Sequence, residues 1–196
     1  VAPALEAAAV DRFAVSSIRE GVALRTASIS LPILILGRTL PEEANTAIAN
    51  DLTVTVDTFT LSDALGNAAH RAHATAQLHV KVDSGLHRFG LEPTEAIALA
   101  GRLSSLDGVA LEGFWTHMAN ADEHDDTFSL EQASAYEAAL ARIGPIALRH
   151  VANTATALRH PELRYDAVRL GLGLYGVLPA NTPGPAIRPV LNLKAR

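Results

Sequence analysis

Four stretches of the sequence gather residue types that can carry chemistry, and each closes an apolar run. The first is His79–Val80–Lys81–Val82–Asp83–Ser84–Gly85–Leu86–His87–Arg88, which sets an amine, a carboxylate and a guanidinium around a Gly-containing turn. A lysine inside an apolar parallel strand is costly unless paired, whereas the same charges in a loop are simply solvated. The second is Gly113–Phe114–Trp115–Thr116–His117–Met118–Ala119–Asn120, whose His117 is either an imidazole at a site or a core histidine with satisfied nitrogens. The third and fourth are His150–Val151–Ala152–Asn153–Thr154 and Val168–Arg169–Leu170–Gly171–Leu172–Gly173–Leu174–Tyr175–Gly176. Small, hydroxyl and Gly residues there expose backbone N–H groups that suit a phosphate, or they serve only as tight turns. Of the 16 Lys and Arg, only Lys81 and Lys194 are lysines, so amine chemistry has two candidates.

Other polar clusters read as bland. Asp122–Glu123–His124–Asp125–Asp126 has hard-metal residue types, but consecutive residues cannot all face one ion, and it reads as a solvated acidic loop. His70, His73, His79 and His160 show no ligand spacing, and Tyr136 and Tyr165 read as packing or surface residues.

The elements that must position these residues alternate along the chain. Apolar runs at Arg12–Val15, Pro32–Leu36, Leu52–Val56, Ala76–Val82, Leu111–Thr116, Ala147–Val151 and Ala167–Leu170 read as strands. Between them, Ser17–Leu24, Pro41–Asn50, Ser62–His73, Pro93–Leu106 and Ser129–Ile143 read as amphipathic helices. Pro41 and Pro93 suit a first helical turn, and Ser129 with Gln132 reads as a capping box. Strand–helix alternation predicts parallel strands and an α/β domain. No Gly-rich phosphate loop follows the first strand, so a doubly wound sheet is disfavoured and a TIM (β/α)8-type barrel fits better. Its eight units are one short, and the helical Val1–Val10 predicts that the first strand is the missing one. Residues 1–186 are expected to form this incomplete barrel, with 187–196 starting a connection to a C-terminal β domain. In such a barrel chemistry lies at the C-terminal strand ends, where the four stretches fall, and phosphate binds after the last two strands.

Composition narrows the class. A net charge of −5 with scattered basic residues argues against nucleic acid or a polybasic membrane surface. With 48% hydrophobic and 19% charged residues the chain is an ordinary globular protein, and without Cys it suits a reducing, cytoplasmic compartment. The longest apolar run, around Leu31–Leu36, is far short of a bilayer span. Val1 opens an Ala-rich stretch with neither a basic n-region nor an initiator Met, as if continuing a longer chain.

Taken in order, the four stretches resemble alanine racemase of the fold-type III pyridoxal-phosphate enzymes, and the resemblance covers nearly the whole chain as that family's barrel domain. It implies pyridoxal 5'-phosphate as cofactor, alanine as substrate, a homodimeric parent and D-alanine supply for peptidoglycan synthesis. By it, Arg169 faces the cofactor's pyridine nitrogen, and Gly171, Leu172, Asn153 and Thr154 serve its phosphate side. Thr154 stands where the family usually has Ser. Arg88 would hydrogen-bond the phenolic oxygen, His117 would lie close to the ring and Arg169, and Lys81 matches a lysine often carbamylated. A guanidinium donates to the pyridine nitrogen without surrendering a proton, which suits racemisation. The family's Lys-x-Asp-x-Tyr-Gly-His motif, with its Schiff-base lysine, does not occur here, and the opposite-face tyrosine belongs to the β domain. The expectation is a fragment inactive alone. The alternatives are a racemase for serine or a broader set, and a non-catalytic pyridoxal-phosphate or phosphate-binding module. The decarboxylases of the same fold type lack support, since no His-x-Gly-Ser or Gly-Gly-Gly segment is present.

Overall fold

The computed structural model describes residues 1–190. Lys194 and the end of the 187–196 connection lie outside the described residues. The order is α1 (Ala2–Ala7), β1 (Phe13–Val15), α2 (Ile18–Thr26), β2 (Ile33–Ile35), α3 (Ala44–Ala49), β3 (Leu52–Val56), α4 (Phe59–Arg71), β4 (Ala76–Lys81), α5 (Pro93–Leu103), β5 (Val109–Trp115), α6 (Thr127–Leu140), β6 (Leu148–His150) and α7 (Thr154–Arg159). Short 3₁₀ turns occupy Pro41–Glu43, Pro161–Leu163 and Leu172–Tyr175. The six strands are all parallel and lie in sequence order.

Register divides each strand into two faces. Ile33, Ile35, Val54, Val56, Leu78, Val80 and Phe114 are fully buried on the helix-covered side, in one core with Leu61, Leu65, Leu99, Leu103 and Tyr136. On the other face Thr55, His79, Gly113 and Leu148 form one row and Lys81, Trp115 and His150 the next. That face is concave. A flat sheet at about 4.8 Å per strand separates β1 from β5 by roughly 19 Å. Yet Arg12, next to β1, reaches Glu112 of β5 at 3.0 Å, so the sheet curls into an open barrel whose interior is the polar face.

Helix starts follow local chemistry. Ser17 and Glu20 form a reciprocal capping box on α2, and the Thr58 hydroxyl accepts from Leu61 N–H at the start of α4. The box expected from Ser129 and Gln132 does not form. α6 starts at Thr127, and both side chains turn inward, Ser129 donating to Asn120 Oδ1 and Gln132 accepting from Ala119 N–H. Their burial signals a loop anchor, which a capping pattern mimics.

Six strands, not seven, are present among the described residues. The expected Ala167–Leu170 strand runs beside β6 without forming a ladder. Asp166 N–H donates to Arg149 O and Arg169 N–H to Ala152 O, but the Asp166 carboxylate takes Arg149 N–H and the Arg149 guanidinium. A side-chain acceptor thereby replaces a backbone one. Val168 and Leu170 remain exposed.

Candidate active site within the barrel

The site assembles on the barrel interior and on the loops after β4, β5 and β6. Lys81 closes β4 with its side chain fully buried, its ammonium against Phe89 O and 4.5 Å from the Phe89 ring. No carboxylate stands within ion-pair distance of it among the described residues. Burial therefore lowers its pKa to about 8, with Asp83 opposing and Arg88 and Arg169 reinforcing the shift. Asp83 organises the following loop. Its Oδ1 accepts N–H bonds from Gly85, Leu86 and His87, and although burial pulls its carboxyl upward, the bonds from Gly85 and His87 outweigh it and leave the pKa depressed. Arg88, on this loop, is exposed, and its charge is felt at Lys81, His117 and Arg169.

Arg169 is the hub. Its Nη1 donates to His150 Nδ1 at 2.8 Å and to His150 O at 2.9 Å; its Nη2 donates to Thr116 O, Val151 O and His117 Nδ1 at 2.8, 3.1 and 3.3 Å. The guanidinium also lies 4.7 Å from the Trp115 ring. Burial lowers its pKa to about 9, which leaves it charged at neutral pH. The Nε is buried, and no acceptor lies within hydrogen-bonding distance among the described residues. His117 is pushed down to about 3 by burial and then by Arg169, Arg88 and Lys81, so it is neutral and, facing a donor-only guanidinium, carries its proton on Nε2.

The loop after β6 supplies the third wall. Thr154 Oγ1 accepts from Gly171 N–H at 3.2 Å, and a side chain at Gly173 would meet Thr154 Cγ2 at 3.0 Å, so the two loops touch at glycine. Leu172 opens a 3₁₀ turn, and its N–H has no partner within that turn. Asn153 shapes this wall through its side chain. Its Oδ1 caps α7 through Thr156 N–H and Oγ1, and its Nδ2 reaches Met118 O. Arg169, His117, Thr154 and Gly171 share the wall of a cavity of about 740 Å³ with Arg12 and His79.

Sequence reasoning missed His79, Glu112, His150 and Arg12. His79 is not bland: its ring is 1% exposed, with Nδ1 2.8 Å from His150 Nε2 and Nε2 2.9 Å from Glu112 Oε2. The signal was its spacing, two residues before Lys81 and hence on the same strand face. Glu112 enters by a bulge: Leu78 pairs with Leu111 and His79 with Gly113, leaving Glu112 as the extra residue. By contrast His70 and His73 stay exposed at the end of α4, and Asp126 pairs with Arg159 and His160 away from this interior.

An all-parallel curled sheet with its polar groups gathered at strand C-termini, around a half-buried arginine and glycine-containing loops, defines a barrel-type α/β domain with a candidate site at one end. Comparison places it further. The family model "Alanine racemase, N-terminal domain" matches residues 1–179, and the chain belongs to that family. It is 42% identical to an alanine racemase of Desulfovibrio desulfuricans, aligning over 93% of this chain and 51% of that protein. An alanine racemase of Symbiobacterium thermophilum is 40% identical over the whole of this chain and 54% of its own length. Among solved structures, alanine racemase of Clostridium difficile in complex with cycloserine superposes with a TM-score of 0.90 at 34% identity, covering 94% of this chain and 52% of that one. The chain thus spans about half the length of the relatives it matches.

Proposed function

We propose that this chain holds pyridoxal 5'-phosphate for an alanine racemase, and that the whole protein interconverts L- and D-alanine as a homodimer. The observation that carries the reading is Arg169 Nε. The terminal nitrogens of the guanidinium are engaged, and the remaining N–H is buried without an acceptor among the described residues. Such a donor costs about 1–3 kcal/mol unless a ligand meets it. A pyridine nitrogen is a neutral acceptor of the right kind, and a cationic arginine donates to it without protonating it. Leu172 N–H and the Thr154 hydroxyl proton suit the phosphate, with Gly171 N–H holding Thr154 Oγ1 in place or turning to the phosphate with it. His117 supplies a neutral ring beside the guanidinium, and Arg88, on the neighbouring loop, is assigned to the phenolic oxygen. Bound there, the cofactor supplies the electron withdrawal that makes an amino acid's α-proton removable.

Lys81 is assigned the role of a carbamate. Its lowered pKa leaves part of it as free amine near neutrality; the amine nitrogen bonds to the carbon of CO₂, loses a proton and becomes a carboxylate able to orient Arg88. Lys81 is then not the cofactor's covalent anchor. The chain contributes the cradle and neither proton-transfer base.

The test is titration with pyridoxal phosphate, read by quenching of the sole tryptophan, Trp115, which stacks against the Arg169 guanidinium. Saturable quenching, far weaker with unphosphorylated pyridoxal and lost in Arg169→Leu and Thr154→Val, is expected, with no borohydride-reduced Lys adduct by mass spectrometry. Quenching indifferent to both substitutions refutes the reading. Turnover of alanine by this chain at the rate of a full-length racemase refutes the division of labour.

A further inference from the structure

Arg169 is the head of a line of buried and half-buried polar groups that crosses the barrel: Arg169, His150, His79, Glu112, Arg12. Successive contacts are 2.8, 2.8, 2.9 and 3.0 Å. Only one placement of protons satisfies it. A guanidinium only donates, so His150 Nδ1 accepts and the His150 proton sits on Nε2. That proton goes to His79 Nδ1, so the His79 proton sits on Nε2 and is donated to Glu112. Both rings are neutral, their pKa values lowered chiefly by burial, and a second proton on His150 would face the Arg169 N–H head-on.

The surroundings are shaped for this line. The bulge delivers Glu112 to the interior, and a side chain at Gly113 would lie 2.4 Å from the His79 ring. Trp115 stacks on His150 at 5.5 Å and 11°, fixing its plane. Hydrogen bonds in such a series polarise one another, so the Glu112 carboxylate is expressed two rings away at Arg169.

We propose that Glu112, His79 and His150 are positioning residues that fix the orientation of the Arg169 guanidinium, and with it the direction of its unpartnered Nε. The consequence for the cofactor rests on the reading of the preceding subsection; the relay itself does not.

The experiment is ¹⁵N-histidine NMR on the chain without cofactor, followed by binding of pyridoxal phosphate and of its 1-deaza analogue, which lacks the ring nitrogen. Both His79 and His150 are expected as neutral Nε2–H tautomers from pH 6 to 8. Glu112→Leu should leave the His79 Nε2–H without its acceptor and shift the His79 ring signals, with a smaller shift passed through the hydrogen bond to the distant His150, while Glu112→Gln, which keeps an acceptor oxygen, restores both. An Nδ1–H tautomer at either ring in the unsubstituted chain, or a His150 signal unmoved in folded Glu112→Leu, overturns the relay. Should Glu112→Leu not fold, Arg169→Leu probes the line from its other end and must release His150 Nδ1. Pyridoxal phosphate should bind about tenfold tighter than the deaza analogue, and Glu112→Leu should erode that preference while Glu112→Gln keeps most of it. No preference in the unsubstituted chain sinks the placement of Arg169 on the ring and leaves the histidine signals to judge the relay; a preference untouched by Glu112→Leu sinks the relay's role.

Discussion

Arg12 and Glu112, 100 residues apart, meet in a two-pronged ion pair, Nη1 to Oε2 at 3.2 Å and Nη2 to Oε1 at 3.0 Å. It ties the strand at one edge of the sheet to the fifth, and therefore reports the curl that makes an interior. Both partners are about three-quarters buried, with side chains 26% and 22% exposed. Breaking the pair thus strands a partly desolvated charge.

Arg12→Met should lower unfolding free energy by about 2–3 kcal/mol, close to the range for one-sided disruption of a buried pair. The double variant Arg12→Met/Glu112→Leu should be less destabilised than the sum of the singles, because no charge is then left alone. Urea denaturation of the four proteins supplies the cycle; strict additivity would show that the pair does not couple.

Acid should unfold the protein from a higher pH than carboxylates alone explain. His79, His117 and His150 have folded pKa values below 6.5, so below that pH the unfolded chain takes protons that the folded one refuses, and stability falls as pH falls. Each contributes up to about 1.4 kcal/mol per pH unit. Glu112, lowered to about 2 by its His79 bond and by Arg12 against the effect of burial, adds stability above its ordinary 4.5 that is lost on approach to pH 2. Thermal melts should be level from pH 7 to 8 and drop steadily below 6.5. His117→Asn should shallow the slope.

Lys81 works in the alkaline direction. Its folded pKa of about 8 lies below its ordinary 10.5, so the unfolded state holds the extra proton between them, and stability rises with pH across that window. Lys81→Met should stabilise the protein by about 1–3 kcal/mol at pH 6 in CO₂-free buffer, and the advantage should shrink by pH 9. With ¹³C-bicarbonate, a carbamate carbon should appear by NMR near pH 8 and be missing from Lys81→Met. Its absence from the unsubstituted protein removes the carbamate from the assignment.

Two glycines should respond oppositely to alanine. At Gly113 the new methyl would overlap His79, so Gly113→Ala should cost about 2–4 kcal/mol and displace the ring. At Gly101, inside α5, a methyl meets nothing within 4 Å, so Gly101→Ala should gain about 0.5–1 kcal/mol from helix propensity. Chemical denaturation of both variants checks the pair; a neutral Gly113→Ala would mean that the bulge has room to spare.

Much was legible in the residues themselves. Apolar runs with period two and helices with period 3.6 follow from local side-chain chemistry, so six of the seven expected strands, the α/β class and the location of Lys81, His117 and Thr154 at or just after strand ends could be read directly. The seventh could not, because Ala167–Leu170 is apolar enough for a strand while Asp166 spends its carboxylate on the ladder's N–H. Nor could the capping pattern at Ser129 and Gln132, which only burial exposes as a loop anchor. Local sequence sets which backbone conformations are favourable, and these are decided within a few residues. Whether His79 is idle or part of a relay depends on Arg12, Glu112, His150 and Arg169, brought together from positions up to 157 residues apart by the curl of the sheet and one bulge. Hydrogen-bond partners and desolvation are set by distances in space, so the direction of every proton in that line, and the Arg169 Nε left over for a ligand, belong to the tertiary structure alone.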